Sequence, residues 1–221
     1  MKELDNIQVA RETYNVIAGY FSPILSSKNA SKDEIEFIDF FLTEINQGGY
    51  IADLGCGVGK HGRYCASKGY KVTGYDISEE MIKLAKENNT ICKMEALHIA
   101  NMCEIETSIL YDGIVAMYSL IHLTEEQMIK TLTNIKRCMK LGARMVLSVY
   151  HGDRLGYYQE ALDSDFQLYY KDYRQEEIKE LVKKAGFKII ETRVWNDDDE
   201  ITASNANVEY GVIGLVLTNE E

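Results

Sequence analysis

Asp53-Leu54-Gly55-Cys56-Gly57-Val58-Gly59-Lys60-His61-Gly62 stands where a short apolar run gives way to a helical pattern. The run before it, Tyr50 to Leu54, reads as a strand, and the segment after it, through Tyr64 and Ala66 to Gly69, reads as a helix. Glycines at such a junction let backbone approach a ligand closely and take turn conformations closed to other residues. A second strand, Lys71 to Tyr75, leads into Asp76, and Ser78 followed by Glu79 and Glu80 opens the next helix. Gly57-Val58-Gly59-Lys60-His61-Gly62 fits the dinucleotide pattern G-x-G-x-x-G, and Asp76 is placed to bind a ribose hydroxyl pair.

Outward from this unit, helical and β-branched segments go on alternating, which predicts an α/β, Rossmann-like sheet with helices on both faces. Ser31 with Glu34 forms a capping box for a helix carrying Ile35, Ile38, Leu42 and Ile45, stopped by Gly48 and Gly49. Further strands are expected within Met94–Ala100, at Gly113–Met117 and at Met145–Tyr150. Thr124 with Gln127 caps a helix whose stripe is Met128, Leu132, Ile135 and Met139. Gln175–Ala185 is amphipathic and ends at Gly186. Phe187–Trp195 and Asn207–Leu217 leave no room for a helix between them, so they are expected as an antiparallel hairpin, with the Asp197–Glu200 run in its solvated turn.

The chain has 221 residues, roughly 1.5 domains at about 150 residues each, and is read as a single domain over 1–221. Hydrophobic residues make up 46%, which excludes a disordered chain. Asp plus Glu outnumber Lys plus Arg by 35 to 24, a net charge of −11, so no basic stripe for nucleic acid is expected. No apolar stretch approaches the roughly 18 residues of a membrane span, and residues 1–5 carry no secretory pattern. The five cysteines (Cys56, Cys65, Cys92, Cys103, Cys138) form no C-x-x-C pair and read as reduced thiols of a cytoplasmic protein. The four histidines lack an i, i+4 pair, so no metal is expected.

Asp53 separates two readings of the glycine loop. A nicotinamide dinucleotide would set its pyrophosphate against the loop, and a carboxylate at the strand tip opposes a diphosphate. S-adenosylmethionine carries an ammonium and a sulfonium, has a ribose for Asp76, and has no phosphate. The bland alternative is that Asp53 only caps the loop.

Asp53-Leu54-Gly55-Cys56-Gly57-Val58-Gly59 resembles the first motif of class I S-adenosylmethionine-dependent methyltransferases of the small-molecule type, and Val72-Thr73-Gly74-Tyr75-Asp76-Ile77-Ser78 resembles the second. Tyr111 to Leu123 is similar to the family's fourth-strand motif, and Glu177 to Phe187 to its late helix-to-strand signature. The matches occur in order over roughly residues 33 to 218. The resemblance implies a seven-stranded sheet of order 3-2-1-4-5-7-6 with the last strand antiparallel, and S-adenosylmethionine as cofactor, leaving as S-adenosylhomocysteine. It implies that Asp53, Gly55 and Gly57 surround the methionyl part, the last two through backbone, that Cys56 and Gly59 of the same loop also bind the cofactor, that Asp76 accepts the ribose hydroxyls, and that Ile77 packs on adenine. Asn101 and Met102 fall where the family usually has an Asp and an apolar residue for adenine; Asn keeps a carbonyl acceptor without the charge. Met117 and Tyr118 fall where the end of the fourth strand approaches the amine and the methyl donor.

Transfer from a sulfonium is an in-line displacement, so catalysis comes largely from alignment, and a base is needed only where the acceptor must lose a proton. The acceptor side is expected from two aromatic cover segments, residues 1–30 with Tyr14, Tyr20 and Phe21, and residues 151–174, read as irregular. Tyr14, His122, His151 and Glu160 are the candidate catalytic groups. So little chain beyond the core favours a small-molecule acceptor over a macromolecule. An aromatic, acid-lined cover suits a cationic amine, with neutral phenols or thiols fitting nearly as well. The competing readings are an NAD(P)-dependent oxidoreductase and a non-catalytic S-adenosylmethionine-binding module. Oligomeric state leaves no mark in the sequence.

Overall fold

A computed structural model describes residues 5–24, 30–90, 93–160, 163, 165–196 and 211–220. Seven strands form one sheet: β1 (Tyr50–Leu54), β2 (Lys71–Asp76), β3 (Ala96–Ile99), β4 (Tyr111–Met117), β5 (Met139–His151), β8 (Lys188–Asn196) and β9 (Gly211–Thr218). A separate hairpin joins β6 (Leu155–Gln159) to β7 (Gln167–Lys171). The sheet order is β3-β2-β1-β4-β5-β9-β8, with β9 antiparallel to both neighbours. With the inserted hairpin set aside, this is the predicted order. The Asp197–Glu200 run and the first residues of the expected last strand lie outside the described residues.

The central strands are apolar on both faces because helices cover both. Ile51, Val115, Val146 and Val216 pack with Phe37, Ile38 and Phe41 of α2 (Lys32–Thr43) and Cys65 of α3 (Lys60–Ser67). On the other face Ala52, Ile114, Leu147 and Leu215 meet Met128, Leu132 and Ile135 of α5 (Glu125–Arg137) and Ile178 and Leu181 of α6 (Gln175–Lys184). Both predicted capping boxes form, Ser31 with Glu34 and Thr124 with Gln127. Gly186 ends α6 at φ 86°, as expected. Helix α2 stops at Thr43, earlier than the glycines suggested, with Glu44 as its C-cap.

Both cover segments differ from the irregular chain expected of them. The first is a 19-residue helix, α1 (Asn6–Ile24), begun by Asp5, whose Oδ1 accepts the amides of Ile7 and Gln8. Its Ala10, Thr13, Ile17 and Ala18 are buried, a helical spacing masked in sequence by Tyr14 between them and Tyr20 just beyond. The second is the β6–β7 hairpin, in which Tyr157 pairs with Tyr169. Helix α1 lies on α4 (Glu79–Asn88) and on β7. It therefore bridges the Asp76 end of the sheet and the inserted hairpin.

Candidate active site

At the tip of β1 the chain turns through Gly55 (φ 67°), Gly57 (φ 50°) and Gly59 (φ 81°). Each has a different reason to be glycine. A Cβ on Gly55 would lie 2.3 Å from Ser119 Cβ and 3.2 Å from Met102 Cε, so the tip of β4 and the segment after β3 close directly onto it. A Cβ on Gly59 would strike Met94, away from the sheet tip. A Cβ on Gly57 would meet nothing within 4 Å, so this backbone faces open space.

Loop amides are satisfied from within the protein. Gly55 and Cys56 donate to the Tyr75 carbonyl at 2.8 and 3.0 Å, Gly57 donates to Asp76 Oδ2 at 2.8 Å, and Gly59 donates to the Cys56 carbonyl at 2.8 Å. Gly62, in the first turn of α3, donates to Asp53 Oδ2 at 2.8 Å. The Asp53 carboxylate is 1% exposed and caps the helix start from beneath the loop. Burial pushes it up to about 7, against the Gly62 amide and with help from the Asp76 charge. The capping contact of Asp53 is thus formed, with its carboxylate buried beneath the glycine loop. The Cys56 side chain turns inward against Gly74.

Asp76 ends β2 with both oxygens on backbone donors, Oδ1 on Ser78 and Oδ2 on Gly57. Carboxylate oxygens so held keep lone pairs for further donors. Its pKa is raised by burial, which outweighs the amides. Ile77 follows at half-burial. Asn101 caps a single 3-10 turn, Met102–Glu104, its Oδ1 accepting the Cys103 amide at 3.0 Å, so its carbonyl is already engaged. Met117 is buried, and Tyr118 holds φ 55° as its amide donates to Ser148 Oγ at 3.0 Å. Ser119 Oγ is buried and finds no hydrogen-bond partner among the described residues. An orphaned hydroxyl packed on Gly55 and an open cradle at Gly57, beside two carboxylates and away from phosphate-type amide donors, suit a nucleoside with a cationic tail.

Three of the four candidate catalytic residues come together. Tyr14 of α1 places its hydroxyl 2.8 Å from His122 Nε2. The other ring nitrogen, His122 Nδ1, lies 2.8 Å from the Tyr169 carbonyl. A carbonyl only accepts, so Nδ1 carries the hydrogen and the neutral ring accepts the Tyr14 proton at Nε2. Burial pulls His122 down to about 4, the Tyr169 carbonyl opposing and the Arg154 charge adding. Burial and then the charge of Glu160 hold the Tyr14 hydroxyl far above its usual range. Tyr170 donates to Glu160 Oε2 at 3.0 Å and sets its ring edge-on to His122 at 4.9 Å. Tyr14 also packs against a small apolar cluster of Ala18, Met81 and Val58, the last from the glycine loop, which joins it to the cofactor side.

His151 does not belong to the cluster. It pairs with Gly211 at the end of β5, its ring against that glycine, and lines a separate cavity with Arg154, Asp172 and Arg174. Sequence reasoning missed Arg154, whose guanidinium lies between the rings of Tyr150 (4.8 Å) and Tyr170 (4.4 Å) and pairs with Asp172 at 2.9 Å. It also missed Ser119 and Asn15, whose Oδ1 accepts the Ser78 hydroxyl at 2.7 Å and ties α1 to the helix behind Asp76.

Comparison with known proteins gives a consistent picture. A family model described as a methyltransferase domain matches residues 28–192. An O-methyltransferase of Aspergillus sclerotiorum is 27% identical over 151 residues, 65% of this chain and 56% of that protein. The chain spans about half the length of the curated relatives it matches. Among solved structures, magnesium protoporphyrin IX methyltransferase from Synechocystis PCC 6803 with bound SAM superposes with a TM-score of 0.70 at 17% identity, covering 100% of both chains. The 1,6-didemethyltoxoflavin-N1-methyltransferase of Burkholderia thailandensis, with its substrate and S-adenosylhomocysteine, gives 0.72 at 16% identity over 97% of this chain and 88% of that one. At such identities the structures speak to the fold.

Proposed function

The chain belongs to the class I S-adenosylmethionine-dependent methyltransferase family, and from that premise we propose that it binds S-adenosylmethionine and moves its methyl group to an N, O or S nucleophile of a small molecule. The observation that carries the reading is the state of the glycine loop. Gly55, Cys56, Gly57, Gly59 and Gly62 all direct their amides to acceptors within the protein, and the helix start that would face a diphosphate holds Asp53. This disfavours a nicotinamide dinucleotide.

S-adenosylmethionine, when bound, supplies a methyl on a cationic sulfur. In this reading Asp76 takes the ribose hydroxyls, with Ile77 beside the base. Gly55, Gly57, Met117 and Tyr118 line the methionyl part, and Asp53 acts through its field. Gly59 and Cys56 shape the loop. Asn101 meets the adenine region with its carbonyl shared, and Met102 closes over Gly55. Helix α1 and the β6–β7 hairpin, the covers 1–30 and 151–174 of one domain, form the acceptor side, where Tyr14, His122 and Glu160 stand.

The small enclosed cluster, with four tyrosine rings in or beside it, supports a small acceptor over a folded macromolecule. Buried free thiols at Cys56, Cys65, Cys103 and Cys138 support a cytoplasmic setting. Among the described residues no helix is long and apolar enough to cross a membrane.

Incubating the protein with S-adenosylmethionine labelled in the methyl group and a panel of small phenols, thiols and amines tests the reading. Label in an acceptor is the expected result. Tight cofactor binding without turnover on any acceptor would leave a binding module, and label only in a protein or RNA fraction would overturn the small-acceptor part.

A further inference from the structure

We propose that Tyr14 and His122 form a proton relay for a hydroxyl acceptor, so that the small molecule methylated is a phenol or enol, with Tyr14 contacting its O–H and His122 acting through Tyr14. The inference rests on the proposed function and adds the class of acceptor and the route of its proton.

Direction comes from geometry. The Tyr169 carbonyl fixes the His122 tautomer, so Nε2 accepts and Tyr14 donates. A phenolic oxygen giving its proton to an imidazole becomes a better acceptor for a second O–H. Tyr14 packs against the apolar cluster of Ala18, Val58 and Met81 and feels the charges of Asp76 and Glu160, while its helix lies on β7, which places it between cofactor side and hairpin.

The step balances simply. The acceptor oxygen bonds to the methyl carbon, the carbon–sulfur bond breaks, and its electron pair stays on sulfur. The acceptor's proton goes to Tyr14 Oη as the Tyr14 proton goes to His122 Nε2, leaving an imidazolium that discharges to solvent with product.

Two features select oxygen over a cationic amine. One face of each of the Tyr150 and Tyr170 rings, which would otherwise cradle an alkylammonium, is already taken by the chain's own Arg154 guanidinium. Second, His122 is a weak base in its buried setting. A weak base takes a proton readily from an oxygen that turns oxonium-like as its new bond forms. It cannot strip an ammonium before attack. Around the pair stand Glu160 and Asp76 facing Tyr14, Arg154 and the Tyr170 ring facing His122, and Asn6 from α1, which donates to the His122 carbonyl at 2.6 Å.

The test compares the unmodified protein with Tyr14→Phe and His122→Gln on phenols of graded acidity. For phenols neutral in solution, both variants should lose about 10²-fold in kcat, with KM for the methyl donor unchanged. For a nitrophenol already ionised in solution the loss should be under about threefold, since no proton must leave. With neutral phenols the unmodified protein should show a flat kcat between about pH 6 and 9, because neither relay group titrates there. Without turnover, 15N NMR of the histidine rings should report an unprotonated, hydrogen-bonded Nε2 at His122 that shifts in Tyr14→Phe. Equal loss on ionised and neutral phenols, methylation of amines but not phenols, or a protonated Nε2 would each overturn the relay while the methyltransferase reading stands. Failure of S-adenosylmethionine to bind the unmodified protein would overturn both.

Discussion

The Asp53 carboxylate accepts the Gly62 amide at 2.8 Å while lying 1% exposed beneath the glycine loop. A buried acid held up to about 7 is partly protonated at neutral pH, and a cation arriving above the loop favours its charged form. Binding of S-adenosylmethionine is therefore expected to release on the order of half a proton near pH 7, with affinity rising as pH passes upward through 7. Calorimetry in buffers of different ionisation enthalpy reads this. Asp53→Asn, which keeps an acceptor for Gly62, should abolish the release; a release unchanged in that variant assigns the proton elsewhere.

Asp76 presents two oxygens already aligned by Ser78 and Gly57. Hydrogen bonds to a charged acceptor contribute about 1.5–3 kcal/mol each, so Asp76→Ala should weaken cofactor binding about 10²-fold or more. Equilibrium dialysis measures it, and a loss below about threefold would remove Asp76 from the ribose site.

Gly55 and Gly57 share a positive φ but not an environment, so their alanine variants should part company. Gly55→Ala drives a Cβ into Ser119 and should cost about 2–4 kcal/mol of stability. Gly57→Ala meets open space and should cost only about 1 kcal/mol, from the left-handed backbone. Its new methyl nevertheless projects into the proposed cradle, so cofactor affinity should fall in a protein that is still folded. Urea denaturation paired with ligand titration separates the two.

How much of this was legible beforehand differs by residue. The β1 tip, Asp76 and the capping boxes at Ser31 and Thr124 follow from local chemistry, because turn glycines, caps and β-branched runs act within a few positions, whereas the sheet order came from the family resemblance. Helix α1 escaped because its apolar positions are small or lie between tyrosines that suggested an irregular cover. The β6–β7 hairpin escaped because Tyr157, Tyr158, Tyr169 and Tyr170 sit on both faces and hide the alternation. The Tyr14–His122 pair spans 108 positions. Both residues stood out as candidates, but only the packing of α1 against β7 brings them together. Arg154 carried no signal, since its role depends on two rings from separate strands.

Glu34 tests the folding side of the account. Burial alone would raise its pKa, yet His61, Lys60 and the Ser31 amide hold it at about 2 against an ordinary 4.5. His61 Nε2 lies 3.6 Å and Lys60 Nζ 3.2 Å from the Glu34 carboxylate. A depressed acid stabilises the fold fully above the unfolded value and loses that contribution as pH falls through about 2. Glu34→Gln, which keeps the capping geometry, should cost about 1–2 kcal/mol at pH 7, a difference that closes on acidification to about pH 2. Thermal melts across pH give the curve, and a constant offset at every pH would refute the charge argument.

Calorimetric titration of the unmodified protein with S-adenosylmethionine and, separately, with NADH tests the central claim most directly. Saturable binding of the sulfonium nucleoside at micromolar concentration, with no heat from the dinucleotide, is the predicted result. Binding of NADH with none of S-adenosylmethionine would contradict it.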